Sequence, residues 1–192
     1  MKNLLLSTVI GAAFATAAQA EPVGYVLDAS HSQIVFQYDH LGYSTTTGMF
    51  SGFEGTITFD EADPAASSVE VSFPAESLIT GWPAREEHFL TGDFFGADES
   101  PLVTFTSTAI EVTGDDTGLI TGDLTINGIT QSVVLDATMN QMGEHPMAGL
   151  PWIGFDATAT LLRSDFDMGQ FAPFVGDEVA IAISIEAMVP AQ

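Results

Sequence analysis

"VAIAISIEAMV", residues 179–189, alternates along its length. Val179, Ile181, Ile183, Ile185 and Ala187 fall on one side, and Ala180, Ala182, Ser184, Glu186 and Met188 on the other. A side-chain period of two marks a β-strand with distinct faces, because successive Cβ atoms point to opposite sides of the backbone. Branched residues on one side and small ones on the other suit a curled wall better than a helix.

The same period runs outward through the chain. "HSQIVFQYD" (31–39) puts Ile34, Phe36 and Tyr38 together, and "SVEVSF" (68–73) does so with Val69, Val71 and Phe73. "IGFDATATLL" (153–162) aligns Phe155, Ala157, Ala159 and Leu161, and "PLVTFTSTAIEV" (101–112) is a long β-branched strand. "LITGDLTI" and "QSVVLDATM" flank Asn127-Gly128, a strong hairpin signal. "GMFSGFEGTITFD" (48–60) reads as a strand pair or one bent strand broken by glycines. These segments make about eight strands, the spacing of an all-β sandwich or barrel. An eight-stranded sheet curled on itself explains the small residues on one face, and its interior is wide enough for one small apolar ligand, as in lipocalins; a sandwich also fits. One stretch, "PAREEHFLTGDFF" (83–95), reads as a short helix, opened by Pro83 and stopped by Gly92.

Composition bounds the partners. The chain has 192 residues, 46% hydrophobic, with 3 basic residues against 26 acidic ones and a net charge of −23. Such a charge argues against nucleic acid and anionic membrane surfaces as partners, because both repel it. It reads as adaptation to a salty medium, so the melting temperature is expected to climb with added NaCl. Residues 1–20 read as a cleavable signal peptide: Lys2, a short apolar run, and the small-x-small site at Ala18–Ala20. The remaining residues, 21–192, read as one domain working in a periplasm or outside the cell. No cysteine is present, so no disulfide framework exists. The apolar run is too short for a comfortable span, and stable membrane insertion is not expected. A homodimer stays open.

With Lys2 removed, Arg85 and Arg163 are the only fixed cations. Either could be a structural fork, donating to carboxylates or loop carbonyls, or a clamp on a polar lipid head. His31, His40, His88 and His145 show no H-x-H or HExxH spacing, and no metal site is expected. His31 and His88 read as partners near a barrel mouth or as head-group contacts. No G-x-S-x-G is present, and Glu86 and Glu87 diverge on a helix, so the chain is read as a binding protein rather than an enzyme. The alternatives are an enzyme using His88 or His31 as general base and a ligand-free barrel filled by its own side chains. The 14 phenylalanines weigh most. Phe36, Phe105 and Phe155 fall on strands, Phe89 and Phe94 on the helical lid, and Trp152 beside a proline. Together they can line a cavity for an apolar chain.

The order "YVLDASHSQIVFQYDHLGYSTTTGMFSGFEGTITFD", "SLITGWPAREEHFLTGDFFGADESPLVTFTST", "TGDLTINGITQSVVLDA", "GFDATATLLRSDFDMG" and "VGDEVAIAISIEA" resembles the YceI family of exported, lipocalin-like proteins, often described as polyisoprenoid-binding. The resemblance spans Tyr25 to Ala187. It implies an eight-stranded antiparallel barrel with a small helix at one end and a long isoprenoid or other lipid inside. No cofactor beyond such a polyprenyl or quinone-type lipid is expected. Glu86 and Phe89 depart from the residues usual at those places.

Overall fold

A computed structural model describes residues 21–191. The expected signal peptide lies outside the described residues. The alternating segments form strands β1 Val23–Leu27, β2 Gln33–His40, β3 Ser44–Phe50, β4 Glu54–Phe59, β5 Ser68–Pro74, β6 Leu102–Val112, β7 Thr117–Ile126, β8 Ile129–Glu144, β9 Pro151–Leu162 and β10 Val175–Met188. They belong to one sheet of order β1-β4-β5-β6-β7-β8-β9-β10-β2-β3, antiparallel at every pairing and closed by contact of β1 with β10.

Ten segments act as eight staves. β1 and β2 lie end to end along β10, at Val26↔Met188 and at Ile34↔Ile183. β3 and β4 likewise lie along β2 and β1. These two staves are each broken once. Asp28–Ser32 turn through a short 3-10 helix, closed on itself by Ser32 Oγ donating to the Asp28 carbonyl and stitched to β10 by the Asp28 N–H donating to the Glu186 carbonyl, both at 2.8 Å. Ser51–Phe53 bend at Gly52, whose φ of +73° suits glycine. The expected eight-stranded antiparallel barrel is therefore the fold, and the glycine-broken stretch is its bent stave.

The staves alternate up and down, so connections gather at two ends. One end carries the β2–β3 turn, the β7–β8 hairpin, the β9–β10 connection and helix α1, Pro83–Phe89. The other carries the β4–β5, β6–β7 and β8–β9 connections. Asn127 and Gly128, both at positive φ, make the tight hairpin their sequence predicts. The helix is shorter than expected. It ends at Phe89, three residues before Gly92, because turn bonds take over: Phe95 N donates back to the Phe89 carbonyl and Ala97 N to that of Leu90, both at 2.9 Å.

Aromatic side chains fill the helix-end half of the interior. Phe50 touches Phe36, Phe73 and Phe95, with ring centroids 5.6, 5.1 and 5.3 Å apart, and Phe53 stacks on Phe73 at 4.8 Å. Phe36 lies over Gly48, its direct partner across β2 and β3, where any Cβ would collide with the ring. Phe105 covers Gly122 in the same way. Bare glycine backbone lets two large rings lie flat against the wall.

Candidate functional site

The inward faces leave a cavity of about 570 Å³, within the usual ~300–1,000 Å³ of small-molecule sites. Its wall is almost wholly apolar, and Phe36, Phe89, Phe94, Phe105 and Phe155 all border it. So does buried Phe166, from the short 3-10 turn after β9. The lining reaches both ends: Trp82, Arg85, His88 and Phe171 at the helix end, and Gly114, Asp115 and Asp116 at the far end.

The two arginines have opposite environments. Arg163 is buried, and its guanidinium donates to four carbonyls: Gly176 at 2.9 Å, Met168 at 2.5 Å, Val175 at 3.1 Å and Gln170 at 3.4 Å. Burial pushes its pKa down, and Asp177 and Tyr38 push it back up. Arg163 is the fork that fixes the β9–β10 connection. Asp177 supports it from outside by accepting from Ser164 Oγ at 2.7 Å and Ser164 N at 2.9 Å, and those bonds hold its carboxyl low against desolvation.

Arg85 is the free cation. It is half-buried at the mouth, and no ion pair or side-chain hydrogen bond involves it among the described residues. The helix is pinned instead by Glu86, whose carboxylate accepts from Thr80 N at 2.6 Å, Gly81 N at 3.1 Å and Thr80 Oγ1 at 3.3 Å. Those donors, the Thr80 N–H first, hold the Glu86 carboxyl below its usual range. The fork expected of Arg85 is thus supplied by its neighbour, which leaves the guanidinium for whatever enters the mouth. His88 stands beside it, edge-on to Phe94 at 5.1 Å and 3.7 Å from an Asp93 oxygen.

Two expected positions lie elsewhere. His31 does not border the cavity and does not pair with His88; it sits on the outer wall in the break between β1 and β2. Its Nδ1 is 2.6 Å from Asp28 Oδ2, and that bond, reinforced by the charges of Asp28 and Glu186, holds its pKa up. The Asp28 carboxyl is lowered in return: desolvation opposes the shift, but bonds from His31 and Ser30 outweigh it. Trp152 also faces outward, donating from Nε1 to Glu186 Oε2 at 2.8 Å. Alternation gives the reason, since inward Ile153 and Phe155 leave Trp152 on the opposite face of β9. The tryptophan that borders the mouth is Trp82.

Asp28, His31 and Glu186 bring one donor atom each within 4.8 Å of one another. Three donors are one short of a closed structural zinc site, and the Asp28 bond already occupies the ring nitrogen facing the carboxylates.

Comparison with known proteins places the chain among such barrels. Residues 25–187 match the family model of the YceI-like domain. A UPF0312 protein of Pseudomonas aeruginosa (strain LESB58) is 36% identical over 190 residues, covering 98% of both chains. The crystal structure of BcnA from Burkholderia cenocepacia superposes with a TM-score of 0.75 at 27% identity, over 83% of this chain and 98% of that one. A polyisoprenoid binding domain from Saccharophagus degradans shares the fold, with a TM-score of 0.67 at 14% identity, over 86% of this chain and 98% of that one.

Proposed function

The chain belongs to the YceI-like family, and from that premise we propose that it is an exported carrier that shelters an isoprenoid-type or other long-chain lipid inside its barrel. The observation that carries this reading is the apolar cavity of about 570 Å³ with an unpaired guanidinium at one mouth. Each methylene moved from water into such a wall contributes about 0.8 kcal/mol. Ten to fifteen of them, as an order of magnitude, outweigh the ordering cost of a flexible chain. The ligand named for the Saccharophagus degradans domain supports the same class of cargo here.

Arg85 then acts as a clamp on the polar head. A guanidinium donates two parallel hydrogen bonds to a phosphate or one to a quinone oxygen. His88 adds a second donor at the mouth. Arg163, spent on its four carbonyls, shapes the wall without meeting the head. The work is transfer and storage, with no bond made or broken. His31, on the outer wall, is out of reach of a chain held inside. The leader-like residues 1–20 support export to a periplasm, where a greasy molecule needs shelter between membranes.

Mass spectrometry of an organic extract from the purified protein tests this reading. A stoichiometric long-chain lipid is expected. Protein that carries none, and takes up neither a polyprenol nor a quinone when refolded with it, would overturn it. Sequencing the amino terminus of exported protein should return Glu21 first.

A further inference from the structure

The helix-end mouth is ringed by large apolar side chains that nothing among the described residues covers. Tyr43 is 90% exposed, Phe174 75%, Trp82 63%, Phe171 55% and Leu41 47%. They form one patch. The Leu41 N–H donates to the Phe174 carbonyl at 3.1 Å, tying the β2–β3 turn to the segment before β10. Val175 N donates to the Phe171 carbonyl at 3.0 Å, and the Phe171 ring stands 6.5 Å from His88 on the helix that Trp82 caps. Leu41 and Phe171 hold φ of +61° and +65°, where glycine or asparagine would sit with less strain. Solubility and backbone energy both disfavour these residues, yet both point an apolar side chain outward. Among the described residues every exposed large aromatic lies at this end, whereas the far end shows Val23, Val112 and Met147.

We propose that this rim docks the barrel onto a zwitterionic lipid bilayer, where cargo passes through the helix-end mouth. The inference rests on the carrier reading and adds the partner. The occupant follows from continuity: Trp82 and Phe171 belong to the rim and also border the cavity, so whatever covers the rim feeds the cavity. A long-chain lipid resides in a bilayer. Tyrosine and tryptophan settle at headgroup depth because one end of each ring is apolar and the other polar. Charge decides the kind of bilayer. The 26 carboxylates are repelled by an anionic surface, but a neutral headgroup layer sets no such barrier, and its phosphates face Arg85 and His88. Among the described residues no helix is long and apolar enough to cross a membrane, and the proposed contact is the shallow, reversible one of a surface-bound protein.

Vesicles of brominated phosphatidylcholine test this with the mature chain. One tryptophan stands near each end: Trp82 at the rim, and Trp152 beside Gly143 and Met188 at the other. In the Trp152→Phe variant the fluorescence of Trp82 should be quenched; in Trp82→Phe that of Trp152 should not. In sedimentation, Tyr43→Ser with Phe174→Ser should lower the vesicle-bound to free ratio by about tenfold or more, and Met147→Ser should leave it unchanged. Neither Tyr43 nor Phe174 borders the cavity, so the double variant keeps its melting temperature and its uptake of lipid on refolding. Wild-type protein that ignores the vesicles, a double variant that still binds them, or equal quenching of both tryptophans would overturn the docking. Lipid content of the same preparations is read separately. Cargo without vesicle binding overturns the docking alone; vesicle binding without cargo overturns the carrier and leaves the docking standing.

Discussion

The two ends of the barrel are built on the same staves and open onto the same cavity, yet they are different surfaces. The helix end holds both arginines, the helix and the exposed aromatics. The far end offers the β4–β5, β6–β7 and β8–β9 connections, with Asp115 and Asp116 at the β6–β7 tip and, among the described residues, no lysine or arginine. The walls make a greasy tube without direction; the connections give it one. On the carrier reading proposed above, an acidic head is drawn to the Arg85 guanidinium and repelled from Asp115 and Asp116.

Arg163 offers the largest way to break the comparison. Replacing it with methionine strands four carbonyls at the β9–β10 connection, and urea denaturation should report a loss of about 3 kcal/mol. Arg163→Lys should recover only part, since an ammonium cannot reproduce the fork. If Arg163→Met is as stable as the wild type, the helix end does not depend on this arginine. Gly48→Val comes next. The added side chain forces the Phe36 ring off the wall and into the cavity, at about 1–3 kcal/mol of overpacking. Extracted lipid should fall with stability, whereas Gly143→Val in the far half of the wall, where nothing lies within 4 Å of an added Cβ, should retain its cargo.

Arg85→Gln separates the two arginines. Stability should stay within about 0.5 kcal/mol of wild type, because no protein partner is lost. Lipid retention should nevertheless drop, most for a phosphate head, as quantified in the extract. Unchanged retention would remove Arg85 from the mouth's chemistry and with it the cationic half of the comparison.

The smallest effect lies away from both ends, at the His31–Asp28 pair. The His31 pKa is raised, so its contribution is present below about 6.5 and is lost as pH rises through the folded value. The Asp28 pKa is lowered, so its contribution is present above its ordinary value near 3.8 and is lost as pH falls through the folded value. The shared pair therefore supports the fold most between those limits. Denaturation midpoints of wild type and His31→Gln should differ more at about pH 5 than at about pH 9. A difference independent of pH would show that the ring acts by packing alone.

Much of the site was legible through parity. The alternation that puts Phe155 inside puts Trp152 outside, and the one that puts Ile34, Phe36 and Tyr38 inside puts His31 outside. Both residues could have been removed from the cavity by that count, along β9 for Trp152 and back from β2 into the 3-10 turn for His31. Trp82 had no such signal, because it precedes a helix in a connection whose direction no period sets. Nor did Arg163 and Arg85 differ in sequence: each is a lone cation among acidic neighbours at the edge of a strand or helix.

The sequence by itself determined the strands, the tight Asn127-Gly128 hairpin, the helix start at Pro83 and the apolar lining, because these depend on local backbone preference and a period of two. The tertiary structure decided the merging of ten segments into eight staves, the partners of the two arginines and the gathering of Tyr43, Trp82 and Phe174 around one mouth. Those outcomes depend on which connections closure of the sheet brings together, and residues far apart in the chain become neighbours only after the wall has curled.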